Sequence, residues 1–363
     1  MKKIHVLIVD DSPLVQSVLL RILSAESDIE VVGTASDPFE AREFILKQAP
    51  DVITLDVEMP RMDGIAFLKH LMSYRPIPVI MISSYTRANS RKTMEALEEG
   101  AVDFVAKPME NLETNLEAIR HEIVFKVHAA AIARIRPFFH PPRPGLTKTP
   151  ANGHFLRKIL AVGASTGGVQ AIQKFLGAIE FRTQGLVVVQ HMAAGYTESF
   201  AERLDRLLPM FKVQEAWDMA PIKPDTVYIA PGGKHVRVVR DRGSSFSLRL
   251  DTSEPFHFQR PAVDVLFHSM ARNVGQNAVG ILLTGMGEDG ADGLVAMHAA
   301  GALTAAQDQT SSIVFGMPKE AIKRGGVDLV GSPEQIPGLI LERLKQNVSN
   351  AHDRLVNGKN TGG

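Results

Sequence analysis

Val6-Leu7-Ile8-Val9-Asp10-Asp11-Ser12-Pro13 is the stretch from which the fold can be read. Four consecutive apolar residues without alternation are the pattern of a strand buried on both faces. Two carboxylates end the run, and Ser12-Pro13 offers a helix N-cap followed by a first helical residue. Leu14, Val15, Val18, Leu19, Ile22 and Leu23 then recur at helical spacing. Outward from there the unit repeats. Val52-Ile53-Thr54-Leu55 ends on Asp56, and Phe104-Val105-Ala106 ends on Lys107-Pro108. Strands are predicted at 4–9, 30–34, 52–55, 79–82 and 103–106, with helix patterns between them. Parallel strands need long crossovers, so this succession predicts a parallel sheet covered on both faces.

The texture changes at Arg136-Pro137-Phe138-Phe139-His140-Pro141-Pro142-Arg143-Pro144-Gly145, which is too proline-dense for helix or strand and reads as a linker. Apolar runs resume at 159–163, 186–190, 226–230, 279–284 and 302–307. Phe200, Leu204, Leu207 and Leu208 mark one of the intervening helices. A second α/β domain, doubly wound with a mostly parallel sheet, is expected. An inserted β-hairpin is predicted at 236–250 around Arg242-Gly243-Ser244. The expected divisions are a first domain at 1–126, a proline-rich linker at 127–155, a second domain at 156–347 and a disordered polar tail at 348–363.

The 363 residues are 45% hydrophobic, enough for two cores. Forty basic residues balance forty acidic ones, so no global field draws nucleic acid or an anionic membrane. Cysteine is absent, which excludes disulfides and thiol chemistry. The N-terminal apolar stretch stops at Asp10, short of a signal-peptide core, and no run approaches the roughly 20 residues that span a bilayer. A cytoplasmic protein without membrane insertion is expected.

In an open α/β sheet, ligands bind beyond the carboxyl ends of the strands. Asp10, Asp11 and Asp56 fall at such ends. Three gathered carboxylates suit a hard divalent cation, Mg2+ by its preference for oxygen. Asp56 is placed to accept a phosphoryl group and Lys107 to neutralise its oxygens. Ser83 ends another strand and could follow the phosphoryl group, while Phe104 could change burial and carry the signal outward. Taken singly, Asp10-Asp11 could cap a helix, Asp56 could be a turn residue and Lys107 a solvated charge. Their succession at strand ends, with Asp56-Val57-Glu58-Met59-Pro60-Arg61-Met62-Asp63-Gly64 and Lys107-Pro108, resembles the receiver domain of response regulators from Lys3 to Arg120. The resemblance implies a flavodoxin-like fold and Mg2+ in this domain.

Gly163-Ala164-Ser165-Thr166-Gly167-Gly168 lies between an apolar strand and a helix pattern with Val169, Ile172, Phe175 and Leu176. That puts the Ser165 hydroxyl on a strand-to-helix turn beside helix N-terminal amides. A serine nucleophile needs a base, and His191 ends the run 186–190. The imidazole needs an orienting group, and Asp289 follows another strand. Backbone amides of Thr166 and Met286 are candidate oxyanion donors. The alternatives stay open on spacing alone. A glycine-rich turn also cradles dinucleotides, although Ser165 breaks the G-x-G-x-x-G spacing. His235, His257 and His268 compete as the base, and Glu288 as the acid. The order serine, histidine, acid is not that of an α/β-hydrolase.

Those residues, together with Gln190-His191-Met192, Ala230-Pro231-Gly232-Gly233-Lys234-His235, Leu283-Thr284-Gly285-Met286-Gly287 and Val314-Phe315-Gly316-Met317-Pro318, resemble the CheB-type catalytic domain. Members of that chemotaxis family join a receiver to a protein-glutamate methylesterase. The resemblance implies glutamate methyl esters of methyl-accepting chemoreceptors as substrate, and a chemotaxis histidine kinase as phosphodonor. It also implies glutamine deamidation by the same acyl route and no cofactor in the catalytic half. The fusion of a switch to a site through a proline-rich tether leads to a further expectation, that the unphosphorylated receiver packs across the catalytic mouth and phosphorylation weakens that contact. Gln309 stands where the family's usual glutamate is expected. A receiver-controlled binding module on a dead esterase fold, and a hydrolase of another ester or amide, are the competing readings.

Overall fold

The computed structural model describes residues 3–84, 86–107, 116–135, 155–243 and 245–357. The first unit runs β1 (Ile4–Val9), α1 (Pro13–Ser24), β2 (Ile29–Ala35), α2 (Pro38–Lys47), β3 (Val52–Asp56), α3 (Gly64–Tyr74), β4 (Val79–Ser84), α4 (Arg87–Glu98), β5 (Asp103–Lys107) and α5 (Leu116–Ala131). Its strands pair in parallel in the order β2-β1-β3-β4-β5, the flavodoxin-like arrangement. Helices on both faces bury the strands, and every residue of β3 is buried. Ser12 occupies the N-cap position of α1, but its side chain caps nothing. Its amide instead donates to Asp10 Oδ1 at 2.9 Å.

The second unit runs β6 (Phe155–Ala164), α6 (Gly168–Gly177), β7 (Arg182–Gln190), α7 (Tyr196–Leu207), β8 (Lys212–Glu215), β9 (Ala220–Pro221), β10 (Thr226–Ile229), β11 (His235–Arg240), β12 (Phe246–Asp251), α8 (Val263–Asn273), β13 (Ala278–Leu282), α9 (Ala291–Ala299), β14 (Leu303–Gln307), α10 (Met317–Lys323), β15 (Leu329–Gly331) and α11 (Ile336–Asn357). Seven of its strands form a parallel sheet in the order β15-β14-β13-β6-β7-β10-β8. The chain starts in the middle at β6, builds outward through β7, then returns to β6 with β13. Each unit therefore has a switch point, between β1 and β3 in one sheet and between β6 and β13 in the other. The hairpin expected at 236–250 is β11–β12, antiparallel and joined by β9 in a small sheet of its own. Ser244 of its turn lies outside the described residues.

Two helices run past the expected division points. α5 continues past 126 to Ala131 because Val127, Ala129 and Ala130 are buried and prolong its apolar face. Of the expected linker, residues 136–154 lie outside the described residues. α11 runs to Asn357, into the stretch read as a disordered tail. Neither Gly nor Pro occurs between Gly338 and Gly358 to stop a helix; residues 358–363 lie outside the described residues. No described helix is long and apolar enough to cross a membrane.

Candidate functional site

At the first switch point, Asp10, Asp11 and Asp56 bring carboxylate oxygens within 4.8 Å of one another. Lys107 reaches them from the end of β5, with Nζ 2.8 Å from Asp10 Oδ2 and 3.0 Å from Asp56 Oδ1. Burial works against the Lys107 ammonium, yet the two carboxylates hold its pKa above the ordinary lysine value. Asp56 responds differently. Burial, helped by Asp10 and opposed by Lys107, pushes its carboxyl up to about 6. An all-oxygen set with a strained surplus of negative charge fits a hard divalent cation. Pro108, next to Lys107, lies outside the described residues.

That strain has a measurable sign. A carboxyl whose pKa is raised by folding makes the folded chain bind its proton more readily than the unfolded chain. The penalty is fully present above about pH 6 and is relieved as the pH falls through that value. Asp56→Asn is therefore expected to stabilise the chain by about 1–3 kcal/mol at neutral pH in chelator. The gain should shrink toward pH 5, and added Mg2+ should raise the melting midpoint of the wild type only. Urea melts at the two pH values check it, and a variant less stable at neutral pH would contradict the assignment of burial as the dominant effect.

Ser83 is fully buried and its Oγ is 2.9 Å from Thr93 Oγ1, which donates to it. Phe104 is also buried, its ring centroid 4.4 Å from that of Tyr196 in α7. The Tyr196 hydroxyl donates to the Ser83 carbonyl at 3.2 Å. The first unit thus packs directly on the second. Arg203 of α7 pairs with Glu98 at the end of α4, and Arg87 and Arg91 of α4 reach Glu202 of α7 at 2.6 and 3.1 Å.

At the second switch point, Ser165 and His191 immediately follow Ala164 and Gln190, which pair across β6 and β7. Asp289 comes from the β13–α9 loop on the other side of β6. Three adjacent strands therefore deliver the three residues, and all are buried. The turn holding Ser165 is fixed by its backbone. Ser165 N donates to Thr284 O at 3.0 Å, and Ser165 O accepts from Gly168 N at 2.7 Å and Gln190 Nε2 at 2.9 Å. Gly167 adopts φ 77° to enter α6. Gly285 is required for another reason: a Cβ there would lie 2.7 Å from Ser165 Cβ.

His191 Nε2 lies 2.7 Å from Asp289 Oδ2. Asp289 also accepts from Val263 N at 2.7 Å and Asp264 N at 2.9 Å, at the amino end of α8. Burial alone would raise its pKa, but the imidazole and those two amides hold it below the usual carboxylate value. An ionised Asp289 keeps the proton on Nε2 and leaves Nδ1 as the lone-pair nitrogen. Nδ1 is buried and has no hydrogen-bond partner among the described residues, Ser165 Oγ included.

The rival residues are occupied otherwise. His235 uses Nε2 on Glu254 O and Nδ1 on the amide of Ala262. His268 is exposed on α8. His257 lies beside Asp264 and Glu288, and Glu288 is exposed and paired with Arg324. The Thr166 and Met286 amides donate to no other described residue, whereas the Thr166 hydroxyl donates to Asp103 Oδ2 at 2.7 Å. Gln309 is exposed, and its carbonyl accepts from Arg134 at 3.2 Å. Asp103, Gln190 and Asp264 stand outside the candidate site residues that the sequence pattern singles out. Gln190 stood in a quoted motif, and the other two carry no local signal.

The space beside Ser165 is lined by Leu97, Asp103 and Phe104 from the first unit and by Gly167, Gly168 and Gln190 from the second. It holds about 10 Å³, room for no more than a water.

Residues 160–340 match the CheB methylesterase family, and residues 6–120 match the response regulator receiver domain. The chain is 47% identical over 354 residues to a protein-glutamate methylesterase/protein-glutamine glutaminase of Methylobacillus flagellatus, covering 96% of this chain and 99% of that protein. A protein of the same description from Salmonella typhimurium is 46% identical over 346 residues, covering 95% and 98%. Among solved structures, the CheB methylesterase catalytic domain of Thermotoga maritima is 36% identical, with a TM-score of 0.49, and covers 53% of this chain and 99% of that one.

Proposed function

The chain belongs to the CheB methylesterase family, and on that premise we propose that it hydrolyses glutamate methyl esters of chemoreceptors under the control of phosphorylation at Asp56. The observation that carries the catalytic part is the buried His191–Asp289 pair, whose free Nδ1 belongs to a residue next to Ser165 in the strand register.

Ser165 Oγ attacks the ester carbonyl while His191 Nδ1 takes its proton, and Asp289 stabilises the imidazolium through Nε2. The amides of Thr166 and Met286, which donate to no described residue, are available to the carbonyl oxygen as it becomes negative. The C–O bond to methoxide breaks, Nδ1 returns the proton, and methanol leaves. Water, deprotonated by the same nitrogen, then cleaves the glutamyl ester of Ser165 and restores the free carboxylate. A glutamine side chain can follow the same route with ammonia as leaving group, which is the deamidase reading.

In the receiver, Asp56 is the phosphoryl acceptor, with Lys107 beside it to neutralise charge. Mg2+ held by Asp10, Asp11 and Asp56 would offset carboxylate repulsion and charge on the phosphoryl oxygens. A chemotaxis histidine kinase is the donor this implies. Methanol release from methylated receptor membranes, with and without a small acyl phosphate, tests the reading. Release that rises with the donor is expected. No release from methylated receptors, or release of methanol from other esters only, would transfer the site to one of the competing readings.

A further inference from the structure

Two aspartates tie the first turn of α8 to the loop carrying Asp289, each acting on the helix of the other. Asp289 precedes α9 and closes the amino end of α8 through Val263 N and Asp264 N. Asp264, in that same turn of α8, returns the contact: its Oδ1 accepts from Gly293 N at 2.6 Å in the first turn of α9. Both carboxylates therefore sit where unsatisfied helix amides and the positive helix end favour them. A Cβ on Gly293 would lie 2.5 Å from Phe267 Cβ and 2.9 Å from Asp264 Oδ1, so the two helices approach to glycine distance.

A helix cap would need only one of Asp264's oxygens. Asp264 is 1% exposed, and its Oδ2 is buried without a hydrogen bond among the described residues. Close to it is His257 Nε2, at 3.6 Å. His257 and Phe258 form the centre of a two-residue turn in which both have positive φ, 50° and 61°. That turn is closed by Phe256 N to Gln259 O at 3.1 Å and Gln259 N to Phe256 O at 2.9 Å. A buried acceptor left without a donor calls for a reason other than stability.

We propose that Asp264 is a positioning residue for the His191–Asp289 pair, fixing the Asp289 carboxylate through α8 and α9 and placing a second negative charge behind the imidazole. The proposal rests on the esterase reading above. Burial and the neighbouring Asp289 push the Asp264 carboxyl up to about 6, against the amides of Gly293 and Gly290. Its charge therefore enters as the pH rises through the range in which a histidine base works. The charged groups around it are Asp289 on the β13–α9 loop with His191 beyond it, His257 on the 256–259 turn and His268 on α8. Glu288 and Asp292 are drawn away by Arg324, which follows α10. A second carboxylate behind the imidazole favours its protonated form, the form that develops in the transition state.

Asp264→Asn keeps an oxygen for Gly293 and drops the charge. In the full chain its acid limb of kcat/KM should lie about 0.5 pH unit lower than the wild type's, with KM unchanged. Asp264→Ala loses the oxygen as well, and kcat should fall about 10-fold with KM unchanged. The low-field NMR signal of the proton between His191 and Asp289 should survive in the Asn variant and broaden away in the Ala variant. An acid limb that does not move in Asp264→Asn overturns the proposal. So does an Ala variant that melts earlier but turns over normally per folded molecule, because Asp264 would then be a helix cap alone. If the wild type releases no methanol, it is the esterase reading that fails. The low-field proton then still decides on Asp264, and its persistence in both variants would overturn the proposal.

Discussion

Ser165→Ala is expected to lower methanol release from methylated receptors by about 10⁴–10⁶-fold, to the residual level that substrate binding and oxyanion donors provide without a nucleophile. The loss should be chemical rather than structural. The turn is held by Ser165 N and O, through Thr284, Gly168 and Gln190, and alanine keeps all three contacts. A stability change within about 0.5 kcal/mol follows. His191→Gln should cost a similar factor, and the double variant little more than either alone, since the two residues act in one step. Asp289→Asn should cost less in rate but more in stability, because Asp289 also closes α8 through Val263 and Asp264. Near-normal release by Ser165→Ala would remove the triad, and intact signalling by that variant would favour the binding-module reading. An acyl-enzyme trapped on Ser165 by rapid quench would settle the matter from the positive side.

What the sequence makes legible here is the part governed by local pattern. Runs such as 6–9 and 52–55, apolar but for Thr54, belong to parallel strands because both faces are covered, and the residue after each run falls at a sheet edge. That logic places Asp10, Asp56, Ser165 and His191 at the carboxyl edges of the two sheets. It missed β8, whose Lys212-Val213-Gln214-Glu215 buries only Val213, and the very short β9 and β15. α8 follows cis-linked Arg260-Pro261, and no strand or helix was predicted there. Asp264 then looks like any acidic residue in a first helical turn; its contact with Gly293 depends on how α8 meets α9, which no window of sequence contains. The same holds for the nitrogen that faces Asp289, and for Asp103, whose partner Thr166 lies 63 positions away across the domain boundary.

Glu98→Arg is expected to raise methanol release by the unphosphorylated protein about 10-fold. The receiver packs on the second domain beside Ser165, through Asp103 on Thr166 and Phe104 on Tyr196, and on the masking reading a methylated helix reaches Ser165 only when that contact opens. Hydrolysis then requires the two domains to part, and its rate reflects the free energy that holds them. Part of that is apolar, through Phe104 on Tyr196, and part is the charge pattern of α4 on α7. Glu98 faces Arg203 with both side chains about a quarter exposed, and Arg206 adds further positive charge near Arg203. An exposed ion pair is worth little, but an arginine at 98 would set like charges against each other in a half-buried contact. A coupling of about 1–3 kcal/mol is the usual scale for such control. Phosphorylation would act at the same seam, since Ser83 can turn to the phosphoryl group only by leaving Thr93, and its carbonyl is the one Tyr196 holds. The acyl phosphate should therefore stimulate the variant less than the wild type. Arg203→Glu alone should behave like Glu98→Arg, and the two together should restore the low basal rate, because the swapped charges can pair again. If each single variant and the pair release methanol at the wild-type rate, the α4–α7 charges do not hold the cover. If removal of everything before about residue 153 leaves release unchanged or lower, there is no cover to hold, and the receiver must act by assisting the catalytic domain rather than by masking it.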